Sequence, residues 1–234
     1  MKLYKPRIIL FVSLLILFLA PFNVSAASQE KKVEKQITKY LDAISKCDYK
    51  TVEKTMTKSA RKNIIRHHKL FEKVIKRMHK DGFQYDIQDI EVSGKQATAI
   101  VEVEYYDAYL DFIYSFEYLL DDIRKNPKLS SKSDKIRKLW VDYLIERYEE
   151  AMGKCPEPAD YTLEEDWEAD FDFWEDDCYA TKTIKIPLVK ESGQWKISKH
   201  TKAMQNMMDC KMQEASKAIE KDKKKYARYL IFGF

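Results

Sequence analysis

The stretch IEVSGKQATAIVEVEY, residues 90–105, is where the periodicity of the chain becomes unambiguous. Ala97, Ala99, Val101, Val103 and Tyr105 alternate with polar neighbours, the period of two that a strand shows when one face is buried. Ser93, Gly94 and Lys95 supply the turn, and Ile90 and Val92 lead back to Ile87, Tyr85 and Phe83, so the unit is a β-hairpin. The apolar set changes phase between Ile87 and Ile90, which predicts a bulge in the first strand. Glu102 and Glu104 fall on the face opposite the apolar one and read as solvated.

Working outward, a second hairpin is predicted downstream. Ile184, Ile186 and Leu188 form one strand, Glu191, Ser192 and Gly193 the turn, and Trp195 and Ile197 the other. Pro187 has no N–H for a ladder, so it predicts an edge position or a bulge. Upstream of the first hairpin the period is helical. Val33, Ile37, Tyr40, Leu41 and Ile44 mark a first helix, and Asp48 caps a short second one through Val52 and Met56. A third follows Ser59, carrying Ile64, Phe71, Val74, Ile75 and Met78 to a stop at Asp81-Gly82, with eight Lys and Arg residues on its other faces. Between the hairpins lies an insertion, residues 108–178. Phe112, Phe116, Leu119 and Ile123 define one of its helices and Ile136, Leu139, Trp140 and Leu144 another, expected to pair over the sheet. Met204, Met208, Met212, Ala215, Ile219 and Tyr226 trace a long C-terminal helix within residues 199–234.

Residues 1–26 have the form of a secretory signal peptide: Lys2, Lys5 and Arg7, an apolar run over 8–20 that is short for a membrane span, and a Val24-x-Ala26 end. No transmembrane segment is then expected in the mature chain, and the location is secreted or cell-surface. The leader holds three of the 42 basic residues and no acidic ones, so the remainder carries 39 against 38 Asp and Glu. A nucleic-acid partner is not indicated by such a balance. All four cysteines, Cys47, Cys155, Cys178 and Cys210, lie beyond the leader, where thiols oxidise. Their spacing matches no metal pattern. The expected bonds are Cys155–Cys178, which brackets one segment, and Cys47–Cys210, which would staple the N- and C-terminal helices.

Between Cys155 and Cys178 lie eleven carboxylates and no Lys or Arg. A capping box at Thr162–Glu165 and the helical spacing of Trp167, Phe171 and Trp174 favour a short helix over the competing strand-like alternation of residues 166–173. As a calcium loop it fails where Phe171 stands in place of the turn glycine. The expected role is an acidic surface anchored by its aromatics, its counter-charge being the basic third helix or a partner. His67, His68 and His79 lack the i, i+4 spacing of a helical metal pair and read as surface residues, and His200 has no evident nucleophile beside it. No metal, cofactor or nucleotide motif is found in the chain, and no catalytic set.

The segments YLDAISKCDYKTVEKTM, IEVSGKQATAIVEVEY and TIKIPLVKESGQWKIS together resemble the exported nuclear-transport-factor-2-like domains of bacterial envelope proteins, in the cystatin-like superfamily. The similarity spans residues 29–105 and 179–198, within a domain expected over 27–198. It implies an α+β fold, with N-terminal helices against a curved antiparallel sheet around a cone-shaped pocket. Members of that family include enzymes and pure binding domains, so the fold leaves function open. The expectation is a non-enzymatic binding or protein-interaction domain whose partner is another exported or envelope protein. The alternative is a small-ligand carrier or an isomerase- or dehydratase-like pocket enzyme, for which Tyr105 and Asp107 would be the pocket residues. Trp167, Phe171 and Trp174 are the interaction candidates of the acidic segment.

Overall fold

The computed structural model describes residues 27–129, 132–154 and 178–222. Their order is helix α1 (27–45), α2 (Tyr49–Thr55), α3 (Lys58–Arg61), α4 (Lys69–Gly82), strands β1 (Gln84–Ser93) and β2 (Gln96–Tyr106), helices α5 (Tyr109–Lys125) and α6 (Ser133–Lys154), strands β3 (Tyr179–Glu191) and β4 (Gln194–Ile197), then α7 (Lys202–Asp209) and α8 (Met212–Lys221). The protein is α+β, and its sheet is a four-stranded antiparallel meander in the order β1-β2-β3-β4.

The strand alternation holds: Ala97, Ala99, Val101, Val103 and Tyr105 are buried while Glu102 and Glu104 lie on the opposite face. The predicted bulge is present, the β1–β2 register shifting between Ile87 and Asp89. Both hairpin turns use left-handed backbone, at Gly94 in the first and at Ser192 and Gly193 in the second, which matches the right-handed twist of paired strands. Pro187 is on β3, an inner strand and not an edge. It is tolerated because its carbonyl accepts from Ser198 N at 2.9 Å, so its main chain faces the β4 side just past the last β3–β4 pair, and no β2 bond is lost.

Two cores result. In the first, α1, α2 and α7 cover one face of the sheet, with Val33, Ile37, Leu41, Val52, Met56, Met204 and Met208 against Val101, Val103, Ile184 and Ile186. The second is largely helical: Phe71, Ile75 and Met78 of α4, Phe112, Phe116 and Leu120 of α5, Leu144 and Tyr148 of α6, and Met212 and Ala215 of α8. The insertion helices pair with each other as expected, but they pack on α4 and α8, touching the sheet mainly through the rings of Tyr106 and Tyr179 at its end.

Two helices differ from their sequence reading. The third helix is split: α3 is one turn capped by Thr57, residues 62–68 are irregular, and α4 starts afresh on His68, whose side chain accepts from Leu70 N. The long C-terminal helix is also two, because Cys210 and Lys211 both adopt left-handed backbone, φ 53° and 61°. That break sends Met204 and Met208 into the first core and Met212, Ala215 and Ile219 into the second. Caps at Asp48 on α2 and Thr201 on α7 each stabilise by about 1 kcal/mol.

Candidate functional site

The space between helices and sheet is occupied by side chains. Tyr40, Ile37, Leu41, Met56 and Tyr105 are all essentially fully buried there. Tyr105 is thus a core residue, its hydroxyl pKa pushed up first by burial and then by the charge of Asp107. Asp107 is half-buried outside that core. Its carboxylate pairs with Lys211 Nζ and accepts from Tyr109 N at 3.2 Å, tying the start of α5 to the α7–α8 junction. Neither residue lines the grooves at α8 or between α1 and the β3–β4 turn. Trp167, Phe171, Trp174 and Cys155 lie outside the described residues.

A polar cluster that the sequence reading missed lies under α7. Asp209, fully buried, accepts from Gln205 Nε2 at 2.8 Å and faces His67 Nε2 at 3.1 Å. Gln205 in turn exchanges bonds with the main chain of Ile65 and faces His200 Nε2 at 2.9 Å. Asp209 Oδ1 and His200 Nδ1 have no protein partner among the described residues. His79 is buried between the carbonyls of Ile44 and Met207, 3.0 and 3.1 Å from its two ring nitrogens. Burial, the largest influence, pulls the pKa of both His79 and His200 below the ordinary value. His79 is therefore an interior group, not the surface histidine its spacing suggested, and His67 is half-buried against Asp209; His200, for which no nucleophile was expected, is interior as well. For His79 a signal existed: it sits at i+4 from Ile75 on the buried stripe of α4.

Cys47 Sγ is 3.6 Å from His79 Nδ1, the pairing a nucleophilic thiol would need. The surroundings point the other way. Burial pushes the Cys47 thiol up to about 12, so it is protonated at neutral pH and the contact serves packing. The expected Cys47–Cys210 bond is not formed, since both are free thiols. Cys47 is turned to His79, and Cys210 is buried in the helical core at the left-handed α7–α8 junction. Cys178 precedes β3, its carbonyl accepting from Asp107 N at 3.0 Å.

The second core is joined to the sheet by Tyr106. Its hydroxyl donates to Asp111 Oδ2 at 2.5 Å, Arg147 Nε stands 3.5 Å from the other oxygen, and the ring packs edge-on against Tyr148 and Tyr179. Burial raises the Asp111 pKa above the usual carboxylate value, against the lowering effects of Tyr106 and Arg147.

One surface stands out. Of the four large hydrophobic residues that are exposed among the described residues, three are Leu110, Tyr114 and Tyr118, at 40%, 42% and 50%. They occur at i, i+4 and i+8 on α5, opposite its buried Phe112, Phe116 and Leu119, and so form one line along the helix. Arg147 of α6 lies over the Tyr114 ring at 5.4 Å, and Tyr143 packs against Tyr118 at 6.0 Å. Tyrosine and arginine held rigidly beside an aliphatic residue is the composition of protein-interface anchors. No signal marked these residues in the sequence except the apolar pattern itself, which continues around α5 further than one core-facing stripe requires.

No family model matches the chain, and no curated protein or solved structure matches it at a significant level. Among the described residues no helix is long and apolar enough to cross a membrane, and no group of three or more His, Cys, Asp or Glu side chains is placed to hold a metal ion.

Proposed function

We propose that this protein is an exported, non-enzymatic interaction domain of nuclear-transport-factor-2-like type that binds another exported or envelope protein through the outer face of α5 and α6. The observation that carries the reading is the solvent-facing line of Leu110, Tyr114 and Tyr118, with Arg147 and Tyr143 beside it. The filled space between helices and sheet favours this over the carrier or pocket enzyme that the same fold hosts. The leader-like residues 1–26 support export, and the expected Cys155–Cys178 bond belongs to the same reading. The acidic segment with Trp167, Phe171 and Trp174 is proposed as an acidic surface whose counter-charge is a basic surface of the chain or of a partner.

The test is in-cell photocrosslinking from benzoylphenylalanine placed at Tyr114 in the producing organism. A discrete protein adduct, abolished by the flanking pair Leu110→Ser and Tyr118→Ser, is expected. An adduct pattern unchanged by that pair would refute the assignment of this face.

A further inference from the structure

A second surface, remote in sequence from the α5 stripe, has a different chemistry. A groove of about 410 Å³ runs between α1 and the β3–β4 turn, lined by Lys32, Lys35, Lys39, Lys54, Lys196 and Trp195 together with the glutamines that flank them. No carboxylate among the described residues lines it. None of its five lysines takes part in an ion pair among the described residues, whereas Arg66, Arg77, Arg124, Arg137, Arg147, Lys202 and Lys211 all do. Among the described residues only Lys196 is engaged at its ammonium, donating to the Lys54 carbonyl at 2.6 Å. At about 100° per residue, Lys32, Lys35 and Lys39 share an arc of roughly 60° on α1, while Glu30 and Glu34 lie on the far side of the helix. Unneutralised like charges in a concavity repel one another, and a ligand of opposite charge relieves that repulsion.

The main chain says what shape the ligand has. β4 is an edge strand. Thr57 N donates to Ile197 O at 2.9 Å, so the Ile197 main chain faces away from β3 and already accepts one extended segment there. Alternate residues of a strand face the same way, so the N–H and C=O of Trp195 are directed outward as well, into the groove. Lys32 to Lys39 spans about 10 Å along α1, the rise of three to four extended residues. Trp195 as a whole is 4% exposed, with Lys190 over its ring, so it offers no apolar group to insert into a bilayer.

We infer that this groove docks an extended acidic segment of a partner protein, laid along the outer edge of β4 so that its main chain pairs with Trp195 and its carboxylates meet the lysines of α1 and α2. Strand addition to a sheet edge provides the main-chain pairing, and the lysines select for acidic side chains. The inference deepens the interaction-domain reading but uses a face that the α5 variants do not touch, so either can fail alone.

The test uses a fluorescein-labelled hexaglutamate peptide with the exported protein, read by anisotropy at low salt, and amide hydrogen exchange at Trp195. Expected are saturable binding, weakening of at least tenfold in Lys35→Glu/Lys39→Glu, no binding of a hexaglutamine peptide, and slowed exchange of the Trp195 amide. Lys32→Gln/Lys54→Gln, both exposed, repeats the loss without charge reversal and keeps the test valid if the first pair is poorly folded. Binding that ignores both pairs overturns the proposal, and so does binding that leaves Trp195 exchange unchanged. Lysine-dependent binding to phosphatidylglycerol vesicles with none to the peptide overturns it in favour of an anionic surface.

Discussion

Tyr106→Phe removes one hydroxyl from the joint between the two cores and leaves the ring. The edge-on contacts with Tyr148 and Tyr179, at 4.9 and 5.9 Å, need only the ring, so the substitution isolates the bond to Asp111. Asp111 is 8% exposed and would keep Arg147 at 3.5 Å as its remaining charged neighbour. Losing a buried hydrogen bond to a charged acceptor destabilises by about 1.5–3 kcal/mol. For a chain of this length that is a fall in Tm of roughly 3–12 °C. The pH dependence gives the sharper test. The folded Asp111 pKa lies above its ordinary 3.8, so the native state holds this proton more tightly than the unfolded one. Its contribution is therefore present at low pH and is lost as pH rises from 3.8 through the folded value. The Tyr106 bond opposes that loss by stabilising the carboxylate, so the effect of Tyr106→Phe grows with pH over the same window. Urea denaturation of both proteins at pH 3.5, below the window, and at pH 7.5 measures it. A Tyr106→Phe effect below 0.5 kcal/mol at pH 7.5, or one equally large at both pH values, would refute the reasoning.

Gly82→Ala is expected to destabilise by about 1–3 kcal/mol, although alanine is the better helix former, because the added Cβ would stand 2.0 Å from Tyr179 Cε1 in a ring held on the other side by Tyr106; an unchanged or raised denaturation midpoint would show that the ring yields. Site-resolved alkylation of the folded protein at pH 8 is expected to spare Cys210 and to modify Cys47 far more slowly than in denaturant, since burial pushes its pKa up to about 12; rapid labelling of Cys210 would contradict the burial assigned to it.

The hairpins, the bulge and the buried faces of α1, α5 and α6 were legible because each is dictated by local periodicity, and a single face change at Ile87–Ile90 has no other local explanation. The breaks in the helices were not. Cys210 and Lys211 take left-handed backbone without glycine or asparagine, so nothing in their chemistry announces the turn. Their conformation is imposed by two cores that each claim part of the methionine stripe, Met204 and Met208 on one side and Met212 on the other. The same holds for the interior polar groups. Asp209 and His67 are 142 positions apart, and Gln205 reaches Ile65 across 140, so their pairing exists only once α7 is docked.

That docking bears on function. α7 belongs to the sheet core and reaches beyond it: its methionines complete that core, Met207 O holds His79 of α4, and Asp209 and Gln205 hold the irregular 62–68 stretch. A buried carboxylate stabilises a fold only when its partners are in place, since an unpaired one carries several kcal/mol of desolvation penalty. With His67 supplied from 142 positions away and Gln205 of the same helix tied to Ile65, Asp209 favours one arrangement of α7 and the 62–68 stretch over near alternatives. The exposed tyrosines of α5 are kept from turning inward by the opposite side of their own helix, which is fixed by Phe112, Phe116, Leu119 and the Tyr106–Asp111 bond. Aromatic rings held outward by the packing beneath them are already ordered, so a partner that covers them loses little side-chain entropy in doing so.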